Sequence, residues 1–279
     1  MTTPSDVFGA RSTEAEFPGD GGDTDGGRAT PGSSFDYTSI PEGHYDRVAR
    51  EGSRIRRLWH LSKFERVLDY LPLRSGQSLL DVGCFAGTFL SMAGPARFSR
   101  QLGVDVLPAQ IAYAREHYGT PFRRFQHVQS ITHLRDLHER FDCVTVIEVI
   151  EHLTADEIRV LLRHLGRLLV PGGKLVLTTP NYWSAWPILE RILNRVGDVN
   201  YEEQHITRFT FFDVERQLAE IHPALRSDFE LDLKTTTHFV TPFLAGLSFE
   251  LAHRLSRAVP HSRWRLPFGS LVLAAFTRR

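Results

Sequence analysis

The stretch Asp81-Val82-Gly83-Cys84-Phe85-Ala86-Gly87 follows a short apolar run and carries two glycines four residues apart. A strand that ends in such a turn lets backbone approach a ligand closely, and an open α/β sheet holds its ligand at the carboxyl ends of its strands. A second apolar run, residues 101–106, reaches Asp105, 22 residues after Gly83. A carboxylate there can accept hydrogen bonds from both hydroxyls of a ribose. Further along, Glu148, Glu151 and His152 stand in E-x-x-E-H spacing, with His205 53 residues after His152. Two carboxylates and two imidazoles support two chemistries. An imidazole can take a proton from a hydroxyl near neutral pH. The same four groups can instead hold a divalent cation that polarises the hydroxyl.

The spacing narrows the ligand. A dinucleotide site wants G-x-G-x-x-G, whose third glycine falls where this chain has Thr88; the spacing here is D-x-G-x-x-x-G. Three other groups stand out. Arg54, Arg56, Arg57, His60 and Lys63 crowd one helical stretch; such a run is usually a solvated face, with His60 and Lys63 as the pocket candidates. Asn181-Tyr182-Trp183 sets aromatics directly after a strand, where they line a pocket or pack. Across 240–268, Phe243, Leu244, Leu247, Phe249 and Leu251 precede Arg254, Arg257, Arg263, Trp264 and Arg265. That pattern fits either a peripheral membrane contact or a lid helix packed on the sheet.

The elements that must position these residues alternate along the chain. A three- and four-residue apolar rhythm predicts a helix over about 42–71, ended by Pro72 and Gly76. Strands are predicted over 78–82, 101–106, 122–128, 141–149 and 174–179, with helices near 87–94, 108–119 and 157–170 and a turn at Pro171-Gly172-Gly173. Strands alternating with helices indicate a parallel sheet. Later, helices are predicted over 184–195 and 211–220, and closing strands over 229–239 and 269–278. The chain is 42% hydrophobic and 24% charged, and its 33 basic residues balance 33 acidic ones, which argues against a dominant polyanion-binding surface. Residues 1–35 hold six acids and two arginines in a Gly-, Ser- and Asp-rich context and predict a disordered leader; residues 36–279 are then a mildly basic domain. Two cysteines, no apolar run of the roughly 20 residues that span a bilayer, and no basic-then-apolar start predict a cytoplasmic protein.

The order DVGC…GVD…FDCVTVIEVIEHL…LLVPGGKLVLTTPN over residues 78–181 resembles class I S-adenosylmethionine-dependent methyltransferases. It is similar to the subgroup with ubiquinone-biosynthesis O-methyltransferases and small-molecule enzymes. The resemblance implies a Rossmann-like, mostly parallel seven-stranded sheet with an antiparallel last strand. It also implies a helical cover over 36–76, a cofactor core over 77–182, and a substrate side with a helical insertion and closing strands over 183–279. S-adenosylmethionine would be the cofactor. Gly83, Cys84 and Gly87 would lie against its methionine part and ribose, with Asp81 near the amino group. Asp105 would take the ribose hydroxyls. Val106 would lie on the adenine, Ser130 and Ile131 at its edge, and Ile147 with Glu148 under the sulfonium. Phe85 departs from the family, which usually has glycine there; it is expected to avoid positive φ and to point away or cover a ligand. An acid common near Gln129-Ser130 is absent. The reading is O-methylation of a small or lipid-linked acceptor, with His152, then His205, as base or orienting residue, Glu148 and Glu151 as supports, no metal, and no nucleic-acid partner. The alternatives are a metal-dependent RNA 2′-O-methyltransferase, for which a similar E-x-x-E-H with a later histidine is known, and a non-catalytic methyltransferase-like binding protein.

Overall fold

A computed structural model describes residues 39–187, 205–239, 241–258 and 266–279, all within one compact unit. The expected leader, most of the helix expected over 184–195, and residues 259–265 of the basic tail lie outside the described residues. Seven strands form one sheet: β1 (Gln77–Val82), β2 (Phe98–Asp105), β3 (Arg123–His127), β4 (Phe141–Ile147), β5 (Leu169–Pro180), β6 (Phe229–Thr237) and β7 (Leu271–Arg278). Their order is β3-β2-β1-β4-β5-β7-β6. β1 to β5 pair in parallel, and β7 runs antiparallel to both β5 and β6. The carboxyl ends of β1, β2, β4, β5 and β6 therefore share one edge, and every sequence-predicted site residue lies in or near it.

Strand alternation assigns the two faces. Leu80, Val82, Val104, Val144, Val146, Leu177 and Ala274 face one core with α5 (Ala155–Leu168) and α6 (Val214–Ile221). Leu79, Cys143, Val176, Leu273 and Ala275 face the other with α2 (Arg54–Tyr70), α3 (Thr88–Met92) and α4 (Pro108–Tyr118). Period-two alternation with both faces buried is what a covered sheet requires. α5 opens on a capping box, with Thr154 and Glu157 each satisfying the other's backbone N–H, and buries Ile158, Leu161, Leu162, Leu165 and Leu168.

Two boundaries differ from expectation. The single helix over 42–71 is two, α1 (His44–Glu51) and α2, because Gly52 leaves helical dihedrals after its N–H reaches the Val48 carbonyl and Ser53 then caps α2 at the Arg56 N–H. Pro171-Gly172-Gly173 is no free turn but an irregularity inside β5: Phe141 pairs with Leu169 and Cys143 with Lys174, with Gly172 at φ 75° absorbing the extra residues.

The cover is tied to the core by one buried acid. Asp46 of α1 accepts from Thr88 Oγ1 at 2.8 Å, Tyr118 Oη at 2.7 Å, Tyr113 Oη at 3.0 Å and Arg50 Nε at 3.1 Å. Burial works to raise its pKa, but these hydrogen bonds and the Arg50 charge prevail and hold it below the usual carboxylate value. Thr88, the residue that breaks the dinucleotide pattern, thus has a structural use.

Candidate active site

The turn after β1 is built on Val104 of β2, whose carbonyl accepts from the N–H groups of Gly83 at 2.8 Å and Cys84 at 3.1 Å. Gly83 has φ 78°, and a Cβ there would lie 2.3 Å from Val149 Cγ2, so glycine is required on both counts. Asp105 is held from two sides: its Oδ2 accepts from the Phe85 N–H at 2.8 Å and its Oδ1 from the Leu107 N–H at 2.9 Å. Each oxygen keeps lone-pair capacity, which a ribose diol would use. Burial raises the Asp105 pKa, opposed by these backbone N–H bonds. Asp81 is buried, accepts from Thr145 Oγ1 at 2.7 Å, and is pushed up to about 7, chiefly by burial, with the Asp105 charge adding to the rise. Cys84 is buried and its thiol is pushed well up by burial and by Asp105, so it offers packing rather than nucleophilicity. Val106 is 49% exposed beside β2, an apolar surface open to a flat ring. Ser130 bonds Thr132 and the His133 ring, Ile131 packs on the core, and Ile147 closes β4.

Phe85 corrects an expectation: it does adopt positive φ, at 46°. The left-handed region costs a non-glycine residue about 1 kcal/mol or more. The Asp105 carboxylate on its N–H and the Tyr45 ring, 5.0 Å away edge-on, are what hold it there. Glu148 at φ 52° and His238 at φ 59° are the other non-glycine residues of this kind among those described, and both lie at the same sheet edge. Backbone strain is therefore concentrated where a ligand would bind.

The acid–histidine group divides. Glu148, following β4, forms an ion pair with Lys63 of α2, both side chains largely buried. The Lys63 ammonium outweighs burial and holds the Glu148 carboxyl below the usual range. Glu151, His152 and His205 do converge: each offers a ligand atom within 4.8 Å of the others. Glu151 causes the convergence, because its carbonyl accepts from the N–H groups of Ile206 at 2.8 Å and Thr207 at 3.0 Å, which docks the segment carrying His205. The two imidazole centroids are 5.1 Å apart, and Tyr182 Oη lies 2.7 Å from His205 Nδ1. The Glu151 carboxylate is buried, with its own backbone N–H and the Thr179 hydroxyl near enough to favour its charged form. Burial and the Glu148 charge raise its pKa well above normal. Such a group is either a neutral acid or one awaiting a cation.

Sequence reasoning missed several residues. Trp59 lies 4.4 Å from His238 and 5.4 Å from Trp186, ring centre to ring centre, and Trp186 is 6.3 Å from His205, so aromatic rings run from the cover to the histidine pair. His60, a weak candidate, is pushed down to about 3 by burial and by Lys63, so it is neutral at physiological pH. Asn181 is a clasp rather than a pocket group: its Nδ2 donates to the Pro267 and Gly269 carbonyls, both at 2.7 Å, and its Oδ1 accepts from the Phe211 N–H at 3.1 Å. Trp183 is half exposed against Phe212 and Phe268. Nothing in the local sequence around Trp59, Trp186 and His238 signals their ring contacts, because those contacts are long-range.

A doubly wound sheet with one reversed strand, a glycine turn and a ribose-type acid at its carboxyl edge define the class I, Rossmann-like architecture that holds a nucleoside cofactor. The family model described as a methyltransferase domain matches residues 53–221, and the chain belongs to that family. It is 30% identical over 170 residues to the ubiquinone biosynthesis O-methyltransferase of Bradyrhizobium sp. (strain ORS 278), covering 55% of this chain and 66% of that one. It is 36% identical over 120 residues to the enzyme of the same name from Xanthomonas oryzae pv. oryzae (strain PXO99A), covering 41% and 48%. The matched segment thus spans between about half and two thirds of these curated relatives. Among solved structures, N-methyltransferase NodS from Bradyrhizobium japonicum WM9 with S-adenosyl-l-homocysteine superposes with a TM-score of 0.52 at 17% identity, covering 87% of this chain and 99% of that one. Geranyl diphosphate C-methyltransferase from Streptomyces coelicolor A3(2) does so with 0.53 at 19% identity, covering 86% and 84%. These neighbours transfer to nitrogen and to carbon by name, so the fold does not select the acceptor atom.

Proposed function

We propose that this protein transfers the methyl group of S-adenosylmethionine to an oxygen of a small or lipid-linked acceptor. The observation that carries the reading is the His152–His205 pair on buried Glu151, walled by Tyr182 and Trp186, at the edge where the glycine turn and Asp105 are assembled. S-adenosylmethionine supplies the methyl group on a sulfonium, and displacement needs the acceptor oxygen in line. The chain's residues align the partners and remove one proton, a role this reading gives to His152. The O-methyltransferase names of the relatives support oxygen over nitrogen. The aromatic walls support an apolar acceptor. The test is transfer of a labelled methyl group to a panel of phenols, carboxylates, amines and RNA 3′ ends, with the product identified by mass spectrometry. Label on oxygen of a small or prenylated acceptor is expected; label on nitrogen alone, or on RNA alone, overturns the reading.

A second reading is favoured by one observation, a buried Glu151 carboxylate with a ligand atom within 4.8 Å of those of two imidazoles. The donor set of Glu151, His152 and His205 fits a divalent first-row cation, which would polarise the acceptor hydroxyl. Glu148, the fourth group of the sequence pattern, is engaged by Lys63. Titration with Mn²⁺ by calorimetry decides: micromolar binding lost in Glu151→Gln favours the metal, and full activity in excess chelator excludes it.

Two cofactor predictions follow from the turn. Asp105→Ala is expected to weaken S-adenosylhomocysteine binding at least tenfold, since it removes both the diol acceptor and the anchor of the Phe85 N–H; charged-group hydrogen bonds are worth about 1.5–3 kcal/mol each. Unchanged affinity in calorimetry would remove Asp105 from the site. Asp81, at about 7, must be ionised to pair with the ammonium of the cofactor's methionine part. Affinity is therefore expected to be steady above that pH and to fall toward about tenfold per unit below it, and Asp81→Asn should flatten the dependence.

A further inference from the structure

α7 (Phe249–Ala258) packs along α2 through Phe249, Ala252, His253, Ser256 and Arg257: Arg57 lies over the Phe249 ring, His253 bonds Glu65 at 2.9 Å, Arg66 reaches the Ser256 carbonyl, and Arg257 pairs with Asp69 at 2.7 Å. With that face inward, a 3.6-residue period turns Leu251, Arg254 and Leu255 outward and leaves Glu250 on the flank. Phe243 on the short helix Thr241–Leu244, Leu247 in the turn after it, and Leu251 and Leu255 on α7 follow one another along this edge and are 46%, 84%, 56% and 40% exposed. Ile55, at the start of α2, adds a fifth apolar group, 39% exposed and adjoining Gly246. Arg54, Arg56 and Arg254 are exposed beside this stripe and have no ion-pair partner among the described residues. Large side chains are rarely left in such a row on a surface facing only water.

We propose that this stripe docks on an anionic phospholipid surface, the leucines entering the interface and the three arginines meeting the lipid phosphates. The charge decides the occupant: a purely apolar partner would leave three unpaired guanidinium groups at the rim, whereas a lipid headgroup layer pairs them. Docking has a geometric consequence. Arg54 and Lys63 lie on one helix, about 14 Å apart by helix rise, so α2 leads from the docked surface to the pocket edge. A lipid-linked acceptor would thereby reach His152 without leaving the membrane. The proposal deepens the lipid-linked reading of the acceptor and rests on it for its purpose, though not for its test.

The test is flotation of the full chain with vesicles of phosphatidylcholine alone and of phosphatidylcholine mixed with phosphatidylglycerol. Binding to the mixed vesicles, weakened by salt, is expected. The Leu247→Glu/Leu251→Glu variant should lose at least tenfold in vesicle partitioning while keeping its melting temperature and its affinity for S-adenosylhomocysteine. Arg54→Glu/Arg56→Glu should abolish the preference for anionic over neutral lipid. The proposal is overturned if the wild-type chain ignores mixed vesicles, if the leucine variant binds them as well as wild type, or if sedimentation shows a dimer that the leucine variant splits, since a second copy would then cover the stripe. Methyl transfer to a soluble acceptor is read separately, so failure here leaves the O-methylation reading standing.

Discussion

Replacing His152 by alanine is expected to lower kcat for methyl transfer by about 10²–10³, with the affinity for S-adenosylhomocysteine unchanged within about twofold. General-base removal of a single proton contributes about 10²–10⁴. The lower half of that range applies because in-line displacement at a sulfonium draws much of its rate from alignment. Two observations separate His152 from the glycine turn after β1. Its neighbours are His205 and Glu151, whereas the turn is fixed by Val104 and Asp105. His205 is placed differently: its segment hangs on the Glu151 carbonyl and its ring is held by Tyr182. Tyr182→Phe should therefore cost about tenfold or less, through loss of ring orientation. Added imidazole should partly restore His152→Ala if the missing group carried a proton. Restoration by a divalent cation, or loss of metal binding in parallel with kcat, would instead make His152 a ligand. Unaltered kcat would remove it from the reaction.

The motif-bearing half of the chain was legible because local periodicity and short-range turns decide it. The strands from β1 to β5 lie where apolar runs put them, and the turn from Gly83 to Gly87 needs its glycines for steric reasons that the residue types already state. The break between α1 and α2 was legible in principle, since Gly52-Ser53 is a stop followed by a cap, but the apolar rhythm running across it hid the signal. Phe85 failed for a different reason. Its intrinsic preference argues against positive φ, and only the tertiary bond from its N–H to Asp105 reverses that preference. The division of the E-x-x-E-H group was illegible altogether. Spacing places Glu148 and Glu151 near one strand end, but which carboxylate a lysine 85 positions earlier would occupy depends on how the cover sits on the sheet.

That pairing sets the largest stability effect. Lys63→Met is expected to destabilise the fold by about 3 kcal/mol at neutral pH, because it leaves the Glu148 carboxylate facing a desolvated pocket without its counter-ion. Breaking a buried pair costs about 3–5 kcal/mol, and Glu148, with 21% of its side chain exposed against 5% for Lys63, belongs at the low end. For a domain of this size the melting temperature should fall by roughly 6–12 °C. The double variant Lys63→Met/Glu148→Gln should recover most of the loss, since no charge is then left unpaired. The pH dependence checks the cause. In the wild type, Lys63 holds Glu148 below the ordinary carboxylate range, so its contribution is complete above the unfolded value of about 4.3 and disappears as the pH falls through the lower folded value. In Lys63→Met the depression is gone and Glu148 can protonate at higher pH, which relieves the unpaired charge. The gap in melting temperature between wild type and variant should therefore narrow as the solution is acidified. A constant gap would mean that Lys63 stabilises by packing its methylenes against α2's neighbours rather than by its charge. No gap at neutral pH would mean that the cover does not rest on Glu148 at all, and the strained left-handed backbone at Glu148 would then need another support.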